Sequence, residues 1–200
     1  MVLVTLGDIA LITLAYLIGS FPSAFLAAKY LGGGRDIRTV GSGNVGGMNA
    51  FRNVGRAAGV ATGVLDVGKG LLAVHLASAY GGWAYTALWA AVAVVTGHNF
   101  MLFLGFKGGK GLGATLGAFL LLNWAVPLYF AGAILAASLI SRDTNFGTGV
   151  AALFLPLILW LARGGGDLMW LAAGAVLGFV IAVKHWPDAR AYLSGRRQLV

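Results

Sequence analysis

Gly111–Ile140, reading GLGATLGAFLLLNWAVPLYFAGAILAASLI, is an unusually long apolar run, and how it is divided decides how often the chain crosses a bilayer. As one helix it would extend about 45 Å, at 1.5 Å per residue, against a hydrocarbon core of about 30 Å. Asn123, Trp124 and Pro127 lie at its middle, where an interface would fall. Two short spans that turn near Leu122–Trp124 resolve the mismatch.

Outward from this run, further apolar spans are predicted at roughly 9–31, 56–80, 83–104, 150–162 and 168–184. With the long run divided, the chain is predicted to be an all-α integral membrane protein of about seven transmembrane helices, a single polytopic domain over 1–200. A content of 59% hydrophobic and 10% charged residues, with a mean hydropathy of +0.86, lies outside the range of soluble domains. No basic residue precedes Lys29, so the first span reads as retained rather than as a cleaved leader.

Charge tests the division independently, because short loops rich in Lys and Arg stay cytoplasmic. With seven spans, Lys29, Arg35, Arg38, Arg52, Arg56, Lys69, Lys107, Lys110, Arg142, Lys184, Arg190, Arg196 and Arg197 fall on or near one face, and only Arg163 falls on the other. The N-terminus is therefore expected outside and the C-terminus in the cytoplasm. The net charge of +8 is explained by this bias, without any nucleic-acid partner. With no cysteine in the chain, disulfides, thiolate metal sites and cysteine nucleophiles are excluded.

Three stretches on the basic face gather glycine, cations and amides: Gly41–Arg52 (GSGNVGGMNAFR), Gly97–Gly113 (GHNFMLFLGFKGGKGLG) and Lys184–Arg190 (KHWPDAR). Gly41, Gly43 and Gly46 fit a dinucleotide fingerprint, but a membrane chain has no βαβ unit to carry it. The second stretch is no P-loop, since its glycines stand at other offsets and no Ser or Thr follows Lys110. Glycine backbone lined with Lys and Arg can instead cradle a compact anion such as phosphate. Asp66 and Lys69 share a helix face, as an ion pair joining helix to loop or as part of a functional cavity. Of the imidazoles, His98 and His185 are the candidate bases, although either could simply orient a loop; His75 reads as packing. No metal ligand set is evident.

Taken in order, these residues resemble the bacterial membrane glycerol-3-phosphate acyltransferases that use acyl phosphate, the PlsY family. The resemblance runs from LIGSFPSAFLAAK through GSGNVGGMNAFR, LDVGKG and GHNFMLFLGFKGGKGLGATLG to the terminal Lys184-His185. It implies transfer of an acyl group from acyl phosphate to the 1-hydroxyl of glycerol 3-phosphate, giving lysophosphatidic acid and phosphate. It also implies a multi-pass protein of the bacterial cytoplasmic (inner) membrane, in contact with membrane lipid, working as a monomer without cofactor. Ser42, Asn44, Arg52 and His185 are then expected to be catalytic. Gly43, Asn49, Lys69, His98, Lys107, Gly108, Gly109, Lys110, Gly111, Asn145 and Lys184 are expected to bind substrate.

The chain departs from the family pattern at Met48, usually threonine, and at Asn145, usually serine. Trp186, Asp188 and Ala191 stand where the family has arginine, asparagine and arginine. An aspartate is repulsive to phosphate, so Asp188 is expected either to point away or to alter acceptor binding. Two other classes compete with the enzyme: a transporter of anions or phosphate esters, which would place polar residues at the midplane or on both faces, and a non-catalytic relative.

Overall fold

The structure, a computed structural model, describes residues 3–195, so Arg196 and Arg197 lie outside the described residues. It is entirely helical among those residues: α1 (Leu6–Gly19), α2 (Ser23–Leu31), α3 (Gly47–Asn53), α4 (Arg56–Tyr80), α5 (Thr86–Asn99), α6 (Leu112–Leu122), α7 (Ala125–Ser141), α8 (Thr144–Ala152), α9 (Leu155–Ala162) and α10 (Leu168–Leu193). Short 3₁₀ turns fall at Ile37–Thr39 and Leu102–Leu104. Leu6–Leu31, Arg56–Tyr80, Thr86–Leu104 and Leu168–Leu193 are each long and apolar enough to cross a membrane. A further apolar pair, α8 and α9, bends by 58°. The chain is a multi-pass membrane protein.

The long run Gly111–Ile140 does break at Asn123–Trp124, between α6 and α7. Asn123 enforces the break from both sides: its Oδ1 accepts the Ala125 N–H at 3.1 Å, and its amide donates to the Ala162 carbonyl at 3.0 Å. One expectation is corrected. Lys184–Arg190 is not a loop but part of α10, which continues past the expected end at 184 to Leu193 with Pro187 inside it. The last turn is held by Tyr192, whose hydroxyl donates to the Ser141 carbonyl at 3.0 Å and whose ring stacks on Phe146 at 4.1 Å.

The chain divides into two compact units, Met1–Leu122 and Asn123–Val200. In the first, α1 packs on α5 and α4 on α6. Lipid offers no apolar contrast to drive helix association, so backbones must approach closely through small residues. Gly97 and Gly117 supply that: a Cβ at Gly97 would collide with the Tyr16 carbonyl, and one at Gly117 with the Val67 carbonyl. At one end Asp8, buried, completes a capping box with Thr5 and also accepts from the N–H groups of Gly82 and Trp83 and from the Thr86 hydroxyl. This ties the start of α1 to the α4–α5 turn. At the other end α1 and α2 part at Ser20–Pro22, where the Ser20 hydroxyl bridges the Gly97 carbonyl and the Leu102 N–H. In the second unit α8 packs on α7 and on α10, and α9 on α10.

Candidate active site

The first glycine-rich stretch is a turn that feeds α3. Gly41 and Gly43 have φ of +55° and +68°, a region in which a side chain is disfavoured. Asn49, buried on α3, holds the turn together. Its amide donates to the carbonyls of Ile37, Val40 and Asn44 at 3.3, 3.1 and 3.0 Å, while its Oδ1 accepts from the Ser42 N–H and the Asn53 amide. Ser42 is left exposed on the crest and Asn44 half-buried. Arg52, in the last turn of α3, is exposed and has no hydrogen-bond or ion-pair partner among the described residues. Two neighbouring cations are engaged. Arg38 forks onto Asp36 at 2.7 Å, holding that carboxyl below its ordinary range, and Arg35 donates to the Asn53 carbonyl.

The second stretch leaves α5 and returns to α6. Gly105 and the non-glycine Phe106 both adopt left-handed backbone, at φ 61° and 62°, which turns the chain back over the end of α5. Lys107 is then exposed without a partner among the described residues, Gly108 and Gly109 are buried, and Lys110 is half-buried. The Gly109 N–H donates to the His98 carbonyl at 3.1 Å. A Cβ at Gly109 would collide with the His98 Nε2 and come within 2.7 Å of the Val45 carbonyl. The two glycine-rich stretches therefore meet at Gly109, against the Nε2 edge of the His98 ring.

Beneath them is a buried charge cluster. Asp66, Lys69 and His98 are 4%, 6% and 2% exposed. One carboxylate oxygen, Asp66 Oδ1, accepts from the Ser23 hydroxyl and from the Lys69 ammonium at 2.9 Å, and the His98 Nδ1 stands 3.4 Å from it. Lys69 also reaches the Phe21 carbonyl, at 3.4 Å, where the helix break between α1 and α2 exposes it. A buried carboxylate inside a membrane protein persists only with such compensation. The Asp66–Lys69 pair was legible from its spacing. Ser23 and the link to His98 were not, the one sequence signal being polar Ser20 and Ser23 within an otherwise apolar run.

In the second unit Asn145 lies half-buried in the first turn of α8, whose N-terminus is capped by Asp143 accepting the Phe146 N–H at 2.9 Å. His185, 1% exposed on α10, packs on Gly149, and Lys184 beside it is half-buried. His185 Nδ1 stands 2.9 Å from the Ile181 carbonyl. A carbonyl only accepts, so Nδ1 carries a proton and Nε2 is the acceptor nitrogen of the neutral ring. Asp188 is half-buried on the same helix and Trp186 exposed. Among the described residues no three His, Asp or Glu side chains gather as a metal site would require.

Fold and composition together define a class: a multi-pass helical membrane protein with two glycine-rich stretches that carry exposed cations, and without a cysteine or glutamate anywhere in the chain. The family of glycerol-3-phosphate acyltransferases matches over residues 9–195. Glycerol-3-phosphate acyltransferase of Synechococcus sp. (strain CC9902) is 36% identical over 95% of this chain and 94% of its own length. That of Carboxydothermus hydrogenoformans is 39% identical over 91% of each. The crystal structure of PlsY (YgiH), an integral membrane glycerol 3-phosphate acyltransferase in its glycerol 3-phosphate form, superposes with a TM-score of 0.80 at 31% identity, covering 96% of this chain and 94% of that one. The same protein's lysophosphatidic acid form gives 0.80 at 30% identity. The chain belongs to the glycerol-3-phosphate acyltransferase family and is an acyltransferase.

Proposed function

We propose that the protein transfers an acyl group from acyl phosphate to the 1-hydroxyl of glycerol 3-phosphate, releasing lysophosphatidic acid and phosphate. The observation that carries this reading is the meeting of the two glycine-rich stretches at Gly109, with Arg52 and Lys107 exposed and uncommitted among the described residues. Two phosphate-bearing substrates need two such anion cradles side by side. In this reading Lys107, Lys110 and the backbone of Gly108, Gly109 and Gly111 receive the phosphate of the donor, and Arg52 with the Ser42–Asn44 turn receives the acceptor. Asn49 shapes that turn from within, and Lys69 and His98 support the second cradle from below. Asn145, Lys184 and His185, which lie in the second unit, are candidates on the family resemblance alone.

Acyl phosphate is a mixed anhydride with a good leaving group, so alignment and charge neutralisation suffice for direct attack. The acceptor hydroxyl oxygen bonds to the acyl carbon, the bond from that carbon to the phosphate oxygen breaks, and the phosphate leaves with the electron pair. The hydroxyl proton passes to the departing phosphate. The reading places this chemistry at the cytoplasmic face of a bacterial inner-membrane protein. It takes 1–200 as one polytopic domain of seven spans, N-terminus outside, acting as a monomer among membrane lipids. Purified protein given acyl phosphate and radiolabelled glycerol 3-phosphate is expected to yield labelled lysophosphatidic acid; no transfer under any donor concentration would overturn the reading.

A further inference from the structure

We propose that Asp66 is a positioning residue for acyl transfer: through the His98 ring it fixes the Gly108–Gly111 backbone against a phosphate-bearing substrate. The proposal rests on the acyl-transfer reading above and deepens it. Asp66 lies on α4, inside an apolar span, where a carboxylate is costly and is retained only for a purpose. Its position relative to the glycine–lysine loop supplies one. On one side its Oδ1 faces His98 Nδ1, and the opposite edge of that ring lies against Gly109. On the other side its own Cβ crowds Gly113, where an added methyl would come within 2.9 Å. The loop and the start of α6 that follows it therefore both rest on Asp66, at Gly113 against its Cβ and at Gly109 through the imidazole beside its carboxylate.

Two donors, Ser23 and Lys69, hold Oδ1 in place beside the His98 ring. Ser23 comes from the start of α2, Lys69 from α4 and His98 from the end of α5, so one oxygen joins three helices beneath the loop. Lys69 balances the charge locally, which keeps the aspartate from repelling an anion held above it. The loop itself contributes little that would hold it in place, because Gly108 and Gly109 have no side chains to pack. Its order comes from what lies below, as the outer partners of a binding group orient the group itself.

The test uses full-length protein returned to bilayers, with acyl phosphate and glycerol 3-phosphate varied in turn. Asp66→Asn and His98→Gln are each expected to raise KM for one of the two substrates by about 10- to 100-fold, with a much smaller fall in kcat. The double variant is expected to be no worse than the worse single, since both changes remove the same strut. His75→Gln, exposed on the same helix, is the unchanged control. Because Asp66→Asn alone leaves Lys69 buried without its counter-ion, Asp66→Asn/Lys69→Met removes both charges together, and the same KM shift is expected from it. Hydrogen exchange reads the loop without the reaction: amides of residues 105–113 are expected to exchange about tenfold faster in each variant, while α1 exchanges as before. Additive effects, an equal loss in kcat with both KM values unchanged, or unaltered exchange at 105–113 would overturn the proposal. Should the unsubstituted protein transfer no acyl group, the reaction assigned above fails, and exchange alone decides the role of Asp66.

Discussion

Arg52 and Lys107 are set apart from Lys110, Arg38 and Arg35 by having no partner among the described residues. An exposed cation on a short helix, beside a turn held open by Asn49, can fork onto a phosphate in a way lysine cannot reproduce. Arg52→Lys is therefore expected to lose kcat/KM nearly as severely as Arg52→Ala, by roughly 10- to 100-fold, the worth of one charge-assisted contact. Arg163→Ala, which removes only a guanidinium 5.9 Å above the Trp170 ring in the second unit, is expected to turn over normally. Equal rates for the wild-type and Arg52→Lys proteins would reduce Arg52 to a surface charge. Both glycine-rich stretches were readable in the sequence as turns because left-handed backbone at Gly41, Gly43, Gly105 and Gly111 favours glycine, and the Asp66–Lys69 pair because residues three apart on a helix are neighbours. The convergence on Asp66 was not readable: Ser23 is 43 residues away, and contacts between helices so far apart leave no local periodicity. Nor does the chain alone reveal that Asn49 is engaged with the turn's own carbonyls.

Helix boundaries were legible where residue chemistry interrupts an apolar run and illegible where tertiary contacts overrule it. α4 occupies 56–80 as read, and Asn123 ends α6 through the bonds it makes to Ala125 and Ala162. Lys184-His185-Trp186-Pro187-Asp188 looks like the end of a span, yet α10 continues through it. Pro187 removes an intrahelical donor and costs about 3 kcal/mol in a helix interior, so the following turn needs outside support. Tyr192 supplies it by its stack on Phe146 and its hydrogen bond to Ser141. Tyr192→Phe, which keeps the stack, is expected to lower stability by about 1 kcal/mol, and Tyr192→Ala by more, as read by thermal unfolding in detergent. The break at Asn123 also carries the topology proposal. A cysteine at Asn123 is expected to react with impermeant reagent outside the cell, and one at Asp143 only after the membrane is opened; the reverse pattern would remove the seven-span arrangement.

At the scale of the molecule, donor choice follows from how little chain lies outside the helices. The longest connections among the described residues are Gly32–Gly46 and Phe100–Gly111, both already committed to turns against α3 and α5, so neither can fold into a pocket for the nucleotide of acyl-CoA. What they offer is exposed Lys107, half-buried Lys110 and buried glycine backbone, a cradle scaled to one phosphate. Transfer from acyl phosphate to glycerol 3-phosphate is accordingly expected to proceed at full rate in a metal chelator, and acyl-CoA to be inert as donor. Lys107→Ala is expected to lose about 10- to 100-fold in kcat/KM for the donor, one charge-assisted phosphate contact. Sustained turnover with acyl-CoA alone, or activity lost on chelation and restored by Mg²⁺, would mean that the glycine–lysine loop holds a different ligand. Full activity of Lys107→Ala with acyl phosphate would instead move the donor phosphate away from that loop.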